Sequence, residues 1–200
     1  MITAIVLAGG ASRRFGSQKL LADFDGEPVI RHSVRRLLAA DPDEVLVVAG
    51  CEGERVRAAL DGLAVRVVMN DGWSEGLSSS LRVGIAALGA TTSGALIALG
   101  DQPGVRSEDT RALLAAHASS DREITVPMYR GERGHPVLFD RSVFPELLGI
   151  RGDRGAREVI ARDPGRVLTV AFDTPQPFDV DTPEALAIAR ESETPSPPSR

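Results

Sequence analysis

The sequence predicts an α/β, doubly wound sheet that is mostly parallel but mixed, with helices on both faces. Three observations carry this reading. Short apolar, β-branched runs alternate with longer stretches of helical periodicity. Several of the runs are apolar at consecutive positions, the pattern of strands buried on both faces. Polar residues and glycines follow the runs, and in such sheets ligands bind at the carboxyl ends of the strands.

The elements follow in order. ITAIVLA (2–8) is the first strand, and the glycine- and arginine-rich loop LAGGASRRFGSQK (7–19) leads away from it. Residues 28–40 read as a helix, with Val34, Leu37 and Leu38 at the spacing of a core-facing stripe. Strands are expected at 44–50, 65–70 and 94–100, and helices at 53–61, 77–89 and 107–119. REITVPM (122–128) and HPVLFD (135–140) flank YRGERG, which reads as a hairpin and makes the sheet mixed. A helix at 154–162, a strand at 167–172 and a helix at 183–192 complete the series. Asp181 or Thr182 caps the last helix, with Pro183 in its first turn. The end, SETPSPPSR, has no apolar periodicity, so the expectation is a domain over 1–190 and a disordered tail over 191–200.

Composition narrows the function. Two hundred residues fit one domain with a proper core, and a net charge of −5 offers no basic field for nucleic acid. Cys51 is the only cysteine, which excludes an internal disulfide and suits a reducing compartment. No signal-like segment or membrane-length apolar run is seen, so the expectation is a cytoplasmic protein without membrane contact.

Four stretches carry possible chemistry. In the opening loop Gly9, Gly10 and Gly16 permit close backbone approach, and Arg13, Arg14 and Lys19 supply donors for a polyphosphate. The loop matches neither GxxxxGK[ST] nor GxGxxG, and it also reads as a plain glycine turn with solvated basic residues. GALIALGDQPG places Asp101 at the sheet's carboxyl edge, as a magnesium ligand or a turn aspartate. Asp179 and Asp181 alternate on a short segment, and either is a candidate second ligand. WSEGLSSSLRVG opens a helix with Gly76 and three serines, suited to an anion, to a base edge or to simple capping.

Together LAGGASRRFGSQK, NDGWSEGLSSSLRVG, GDQPG, GHPVLF, RGDRGAR and DVDTPEAL resemble, in order, the motifs of the MobA-like NTP transferase family. They are most similar to its molybdenum cofactor cytidylyltransferase branch, over residues 2 to about 190. The resemblance implies a Rossmann-like fold of the nucleotide-diphospho-sugar transferase kind. It also implies Mg²⁺-dependent transfer of a nucleoside monophosphate from an NTP to the phosphate of molybdopterin, releasing pyrophosphate. Such chemistry needs positioning and charge neutralisation more than a strong base.

Carried over position by position, Leu7, Ala8, Gly9 and Gly10 would meet base and ribose through backbone atoms. Arg13, Lys19 and Asp101 would be catalytic, with Arg14 assisting. Asn70, Ser78, Ser79, Ser80 and Arg82 would complete the nucleotide site, and His135 and Asp153 would face the pterin. Asp101 and Asp181 would hold Mg²⁺, with Asp179 as second choice.

One departure stands out. Leu-Ala-Gly-Gly is the form of guanylyltransferases, whereas cytidylyltransferases more often carry Ala-Ala-Gly. CTP is favoured as donor with GTP as alternative, and Gly9→Ala is expected to shift the ratio toward CTP. Competing readings are a sugar-phosphate nucleotidyltransferase, an NAD(P)H-binding oxidoreductase on the same scaffold, and a chaperone inserting cofactor into a molybdoenzyme.

Overall fold

Side chains alternate across a strand, so a run that is apolar at every position must be covered on both sides. The computed structural model describes residues 1–12, 14–152 and 155–193 and shows this arrangement. In β1 (Ile2–Ala8), Ile5 and Leu7 enter one core cluster while Ala4, Val6 and Ala8 enter another. β4 (Glu44–Ala49) and β6 (Gly94–Leu99) divide in the same way.

One face is covered by α3 (Leu77–Ala86), α5 (Phe144–Gly149) and α6 (Arg157–Arg162), through Leu81, Ile85, Leu147 and Val159 among others. The other is covered by α1 (Val29–Leu38), α2 (Gly53–Ala59) and α4 (Ser107–Ala118), through Val34, Leu37, Val56 and partly buried Leu114. Burying each such leucine, isoleucine or valine is worth about 1.5–3 kcal/mol.

The remaining strands are β2 (Asp23–Phe24), β3 (Glu27–Pro28), β5 (Arg66–Met69), β7 (Ile124–Tyr129), β8 (Glu132–Arg133), β9 (Val137–Asp140) and β10 (Val167–Phe172). The main sheet runs β10-β7-β9-β6-β1-β4-β5, with β8 beside β7. β1 lies between β4 and β6, parallel to both, with Ile5 opposite Leu46 and Ile97. The expected hairpin is present: β7 and β9 pair antiparallel, Thr125 opposite Leu138, so the sheet is mixed. Two features add to the expectation, the small ribbon β2-β3 and helix α5.

α7 (Pro183–Glu193) packs Leu186 and Ala189 with Phe24, Val29 and Val180 as a third cluster. Thr182 Oγ1 caps it, accepting from Ala185 N at 3.2 Å, which leaves Asp181 available for other contacts. The helix extends three residues past the expected boundary at 190, and positions 194–200 of that tail lie outside the described residues. Among the described residues, no helix is long and apolar enough to cross a membrane.

The close seat of α3 depends on Gly84. A Cβ there would lie 2.7 Å from Ile5 Cγ2 and 3.2 Å from Val48 Cγ2. Gly84→Val is therefore expected to cost about 3 kcal/mol of stability. The cost would appear as a lower urea midpoint at unchanged slope; an unchanged midpoint would mean that α3 rides freely over the sheet.

Candidate active site

The strands β1, β4, β5 and β6 run parallel and discharge their loops at one edge. There a cleft of about 540 Å³ opens. Leu7, Ala8, Gly9 and Gly10 form one part of its wall.

The opening loop is held by a residue that motif reading passed over. Gln18 is 5% exposed. Its Nε2 donates to Gly10 O at 3.1 Å and to Cys51 O at 3.0 Å, and its Oε1 accepts from Ser12 Oγ at 2.7 Å. Phe15 N closes a turn onto Ser12 O at 2.9 Å, and Gly16, at φ 80°, takes the left-handed conformation that favours glycine. The signal for Gln18 lay only in its place beside Lys19, since a glutamine has no chemistry that singles it out.

Lys19 leads out of this loop toward the carboxylates. Its Nζ is hydrogen-bonded to Asp101 Oδ2 and, at 2.8 Å, to Asp181 Oδ1. Burial pulls the Lys19 pKa down, but the two carboxylates outweigh it and hold the ammonium above its ordinary value. The Lys19 hydrogen bond in turn holds Asp181 below its ordinary value, aided by the Arg14 Nη2 contact at 2.6 Å. Asp179 stands apart from this bridge. Its Oδ1 accepts from Gln102 Nε2 at 2.7 Å, and burial, then the Asp101 charge, push its pKa up.

The segment carrying both aspartates is docked by backbone as well, through Val180 N to Asp101 O at 2.9 Å. Asp101, Asp179, Asp181, Lys19 and Arg14 thus line one cleft, although they come from the start, the middle and the far end of the chain.

The serine stretch divides. Ser80 lines the cleft, whereas Ser78 and Ser79 are buried behind it. Asn70 is also buried, its Nδ2 donating to Ser79 Oγ at 2.8 Å and Ser80 Oγ at 3.0 Å. The start of α3 is set by Gly76, at φ 100° and ψ −178°, a conformation essentially reserved to glycine. No serine caps it; Ser79 Oγ instead donates to Gly76 O at 2.9 Å. Arg82 turns to Ile150 O at 2.9 Å and Glu75 at 3.0 Å, outside the cleft lining. His135 is also outside the lining; its Nδ1 lies 3.4 Å from Ile97 O, and burial lowers its pKa. Arg13 and Asp153 lie outside the described residues. The cleft also takes in Trp73, Ser74 and Leu77, which the sequence reading did not assign.

A divalent cation suits the donor set. Among the described residues no group of three or more His, Cys, Asp or Glu side chains is placed to hold a metal ion. Two hard carboxylates, Asp101 and Asp181, nevertheless converge on one point that the Lys19 ammonium takes. One or two carboxylates completed by substrate phosphates is how Mg²⁺ is commonly held.

A family model, the MobA-like NTP transferase domain, matches residues 4–167. A nicotine blue oxidoreductase from Paenarthrobacter nicotinovorans is 31% identical over 92% of this chain and 94% of its own. A probable molybdenum cofactor guanylyltransferase from Pyrococcus horikoshii is 30% identical over 77% of each chain. The crystal structure of Rv0371c from Mycobacterium tuberculosis superposes with a TM-score of 0.86 at 32% identity, covering 95% of this chain and 97% of that one. The same protein has been solved in complex with manganese, at a TM-score of 0.83 and 30% identity over 96% and 98% of the two chains. The fold is that of the nucleotide-diphospho-sugar transferases. The chain accordingly belongs to the MobA-like NTP transferase domain family, a family of nucleotidyltransferases.

Proposed function

We propose that this protein transfers a nucleoside monophosphate from an NTP to the terminal phosphate of a molybdopterin-type acceptor, using Mg²⁺. The observation that carries the reading is the meeting of Lys19, Asp101 and Asp181 in a cleft bordered by a glycine loop. An acceptor phosphate oxygen forms a bond to the α-phosphorus, the bond to the bridging oxygen breaks, and pyrophosphate departs. A phosphate monoester is already nucleophilic at neutral pH, so the chain's own work is to orient and to neutralise. Backbone groups of Leu7 to Gly10 border the donor, and Lys19, Arg14 and Arg13 balance charge on the leaving pyrophosphate. Asp101 and Asp181, with Asp179 in reserve, hold the divalent ion, which when bound withdraws charge from the phosphate oxygens.

CTP is the favoured donor and GTP the alternative. The guanylyltransferase relative and the Leu-Ala-Gly-Gly opening support GTP, and the later motifs support CTP. Gly9 bears on this choice. A Cβ at Gly9 would overlap Ser80 Oγ, the hydroxyl that Asn70 holds. We therefore expect Gly9→Ala to displace that hydroxyl and shift the CTP/GTP ratio of kcat/KM toward CTP by about threefold to tenfold, within the reach of a single methyl-sized change. An unaltered ratio in a folded variant would place selectivity elsewhere. His135 and Asp153 are proposed for the acceptor side, and the product would pass to a molybdoenzyme or its chaperone.

The oxidoreductase relative supports a second reading, electron transfer with NAD(P)H. Thermal unfolding with CTP, GTP, ATP, UTP or NADPH, each with and without Mg²⁺, separates the two. A ligand at a hundred times its Kd adds about 2.7 kcal/mol to the folded state, a shift of roughly 5–10 °C in a domain of this size. A magnesium-dependent shift with CTP or GTP, followed by pyrophosphate release on adding molybdopterin, is the expected result. A shift with NADPH alone would overturn it.

A further inference from the structure

The cleft holds two kinds of lining. Arg14, Lys19 and the three aspartates are charged, and they come from the opening loop, the turn after β6 and the segment before α7. Trp73 and Leu77 are apolar; Trp73 lies in the turn that leads into α3 and Leu77 is the first residue of that helix. Among the described residues, Trp73 is the only aromatic side chain in the lining.

The local backbone is built to bring this indole in. Gly9 and Gly50 pack against the Trp73 Cβ: a Cβ at Gly50 would stand 2.6 Å from Trp73 Cβ and 2.7 Å from Gly9 O, and one at Gly9 would stand 3.8 Å from Trp73 Cβ. Trp73 N donates to Asn70 O at 3.3 Å, and Gly76 N donates to Trp73 O at 3.3 Å, so the turn is closed at both ends. Trp73 is half-buried, and Leu77 beside it is 39% exposed. Trp73, packed through its Cβ against two glycines, thus joins a wall that is otherwise small, aliphatic or charged.

We propose that Trp73 and Leu77 form a subsite for a planar nitrogen heterocycle, stacked against the indole. The inference rests on the nucleotidyl-transfer reading for the identity of the ring, and two ring sources fit it. One is the nucleobase of the donor, next to Gly9; the other is the pterin of the acceptor. The phosphates of either ligand would reach toward the charged set.

The chain has one tryptophan, so its fluorescence reports this site alone. The protein is titrated separately with CTP, GTP, a 6-substituted pterin, pyrophosphate and ribose 5-phosphate, with inner-filter correction. Saturable quenching by a ring-bearing ligand, and not by pyrophosphate or ribose 5-phosphate, is expected, and the ligand that quenches names the ring. Equal responses to pyrophosphate, or no response to any ring while turnover proceeds, would overturn the subsite and leave nucleotidyl transfer standing. Quenching without turnover would do the reverse.

Two variants complete the test. Trp73→Ala is expected to raise the KM of the quenching substrate by tenfold to a hundredfold, on the order of the loss of one base–aromatic stack, with little change in kcat. Trp73→Phe, which keeps an aromatic face, should recover most of that loss. If Trp73→Ala melts like the parent and keeps its KM, the subsite does not exist. If it fails to fold, equal KM values for Trp73→Phe and Trp73→Leu lead to the same conclusion.

Discussion

Asp101→Asn is expected to abolish turnover, by roughly a thousandfold or more, and to leave the melting temperature within a few degrees of the parent. The size follows from the chemistry: charge withdrawal by a held divalent ion is worth several kcal/mol, and each 1.4 kcal/mol or so is a factor of ten in rate. The fold should survive because what Asp101 gives to the architecture is its backbone oxygen, which accepts from Val180 N and is kept in the amide variant. The substitution removes only the charge that faces Lys19. Near-parental turnover of Asp101→Asn in the presence of Mg²⁺ would remove Asp101 from metal binding.

Lys19→Ala is the second large effect. Loss of the ammonium should reduce NTP affinity and turnover together, at least tenfold in kcat/KM, because the group faces charge in both the bound and the reacting state. The same change leaves Asp101 and Asp181 facing each other across a gap with Arg14 as the remaining cation of the lining among the described residues. Mn²⁺ binding without nucleotide, followed by its electron paramagnetic resonance signal, should therefore tighten in Lys19→Ala even though its turnover falls.

The pH dependence has a definite sign. With Asp181 lowered, its contribution is complete above the unfolded carboxylate pKa and is lost as pH falls through the lower folded value. With Lys19 raised, its contribution is complete below the unfolded lysine pKa and is lost as pH rises through the higher folded value. Parent and variant should thus differ in stability across the neutral range and converge in acid. Unchanged kinetics together with unchanged Mn²⁺ affinity would take Lys19 out of the site.

Much of this was legible in the chain itself, for a physical reason. Strands buried on both faces must be apolar at every position, so 2–8, 44–49 and 94–99 could not be mistaken for half-buried strands. The chemistry at their ends follows from topology, and Lys19, Asp101 and Asp181 do meet. What stayed hidden depends on partners. Ser79 and Asn70 look like donors to a ligand, yet their polar atoms bond to each other and to Gly76. Arg82 looks like a phosphate ligand, yet it spans to Ile150 and Glu75. No periodicity distinguishes a side chain that faces a cleft from one that braces it. Trp73 carried no signal of its own, since a single aromatic before a helix is assigned to the cleft only once the turn that holds it is placed in space.

The segment that brings Asp179 and Asp181 back across the sheet sets a timetable. A growing chain has every strand of the described residues once residue 172 is made, and with them the glycine loop, Lys19 and Asp101. It still lacks two of its three acidic groups and the helix that anchors them. The partners of the Lys19–Asp181 bridge are 162 positions apart, so this contact closes among the last. A polypeptide cut short after β10 would therefore carry the strands of the sheet but only part of the cleft lining, and would lack Val180, Leu186 and Ala189 of the third cluster. Two of the three carboxylates of the cleft are thus supplied only by the segment that follows the last described strand.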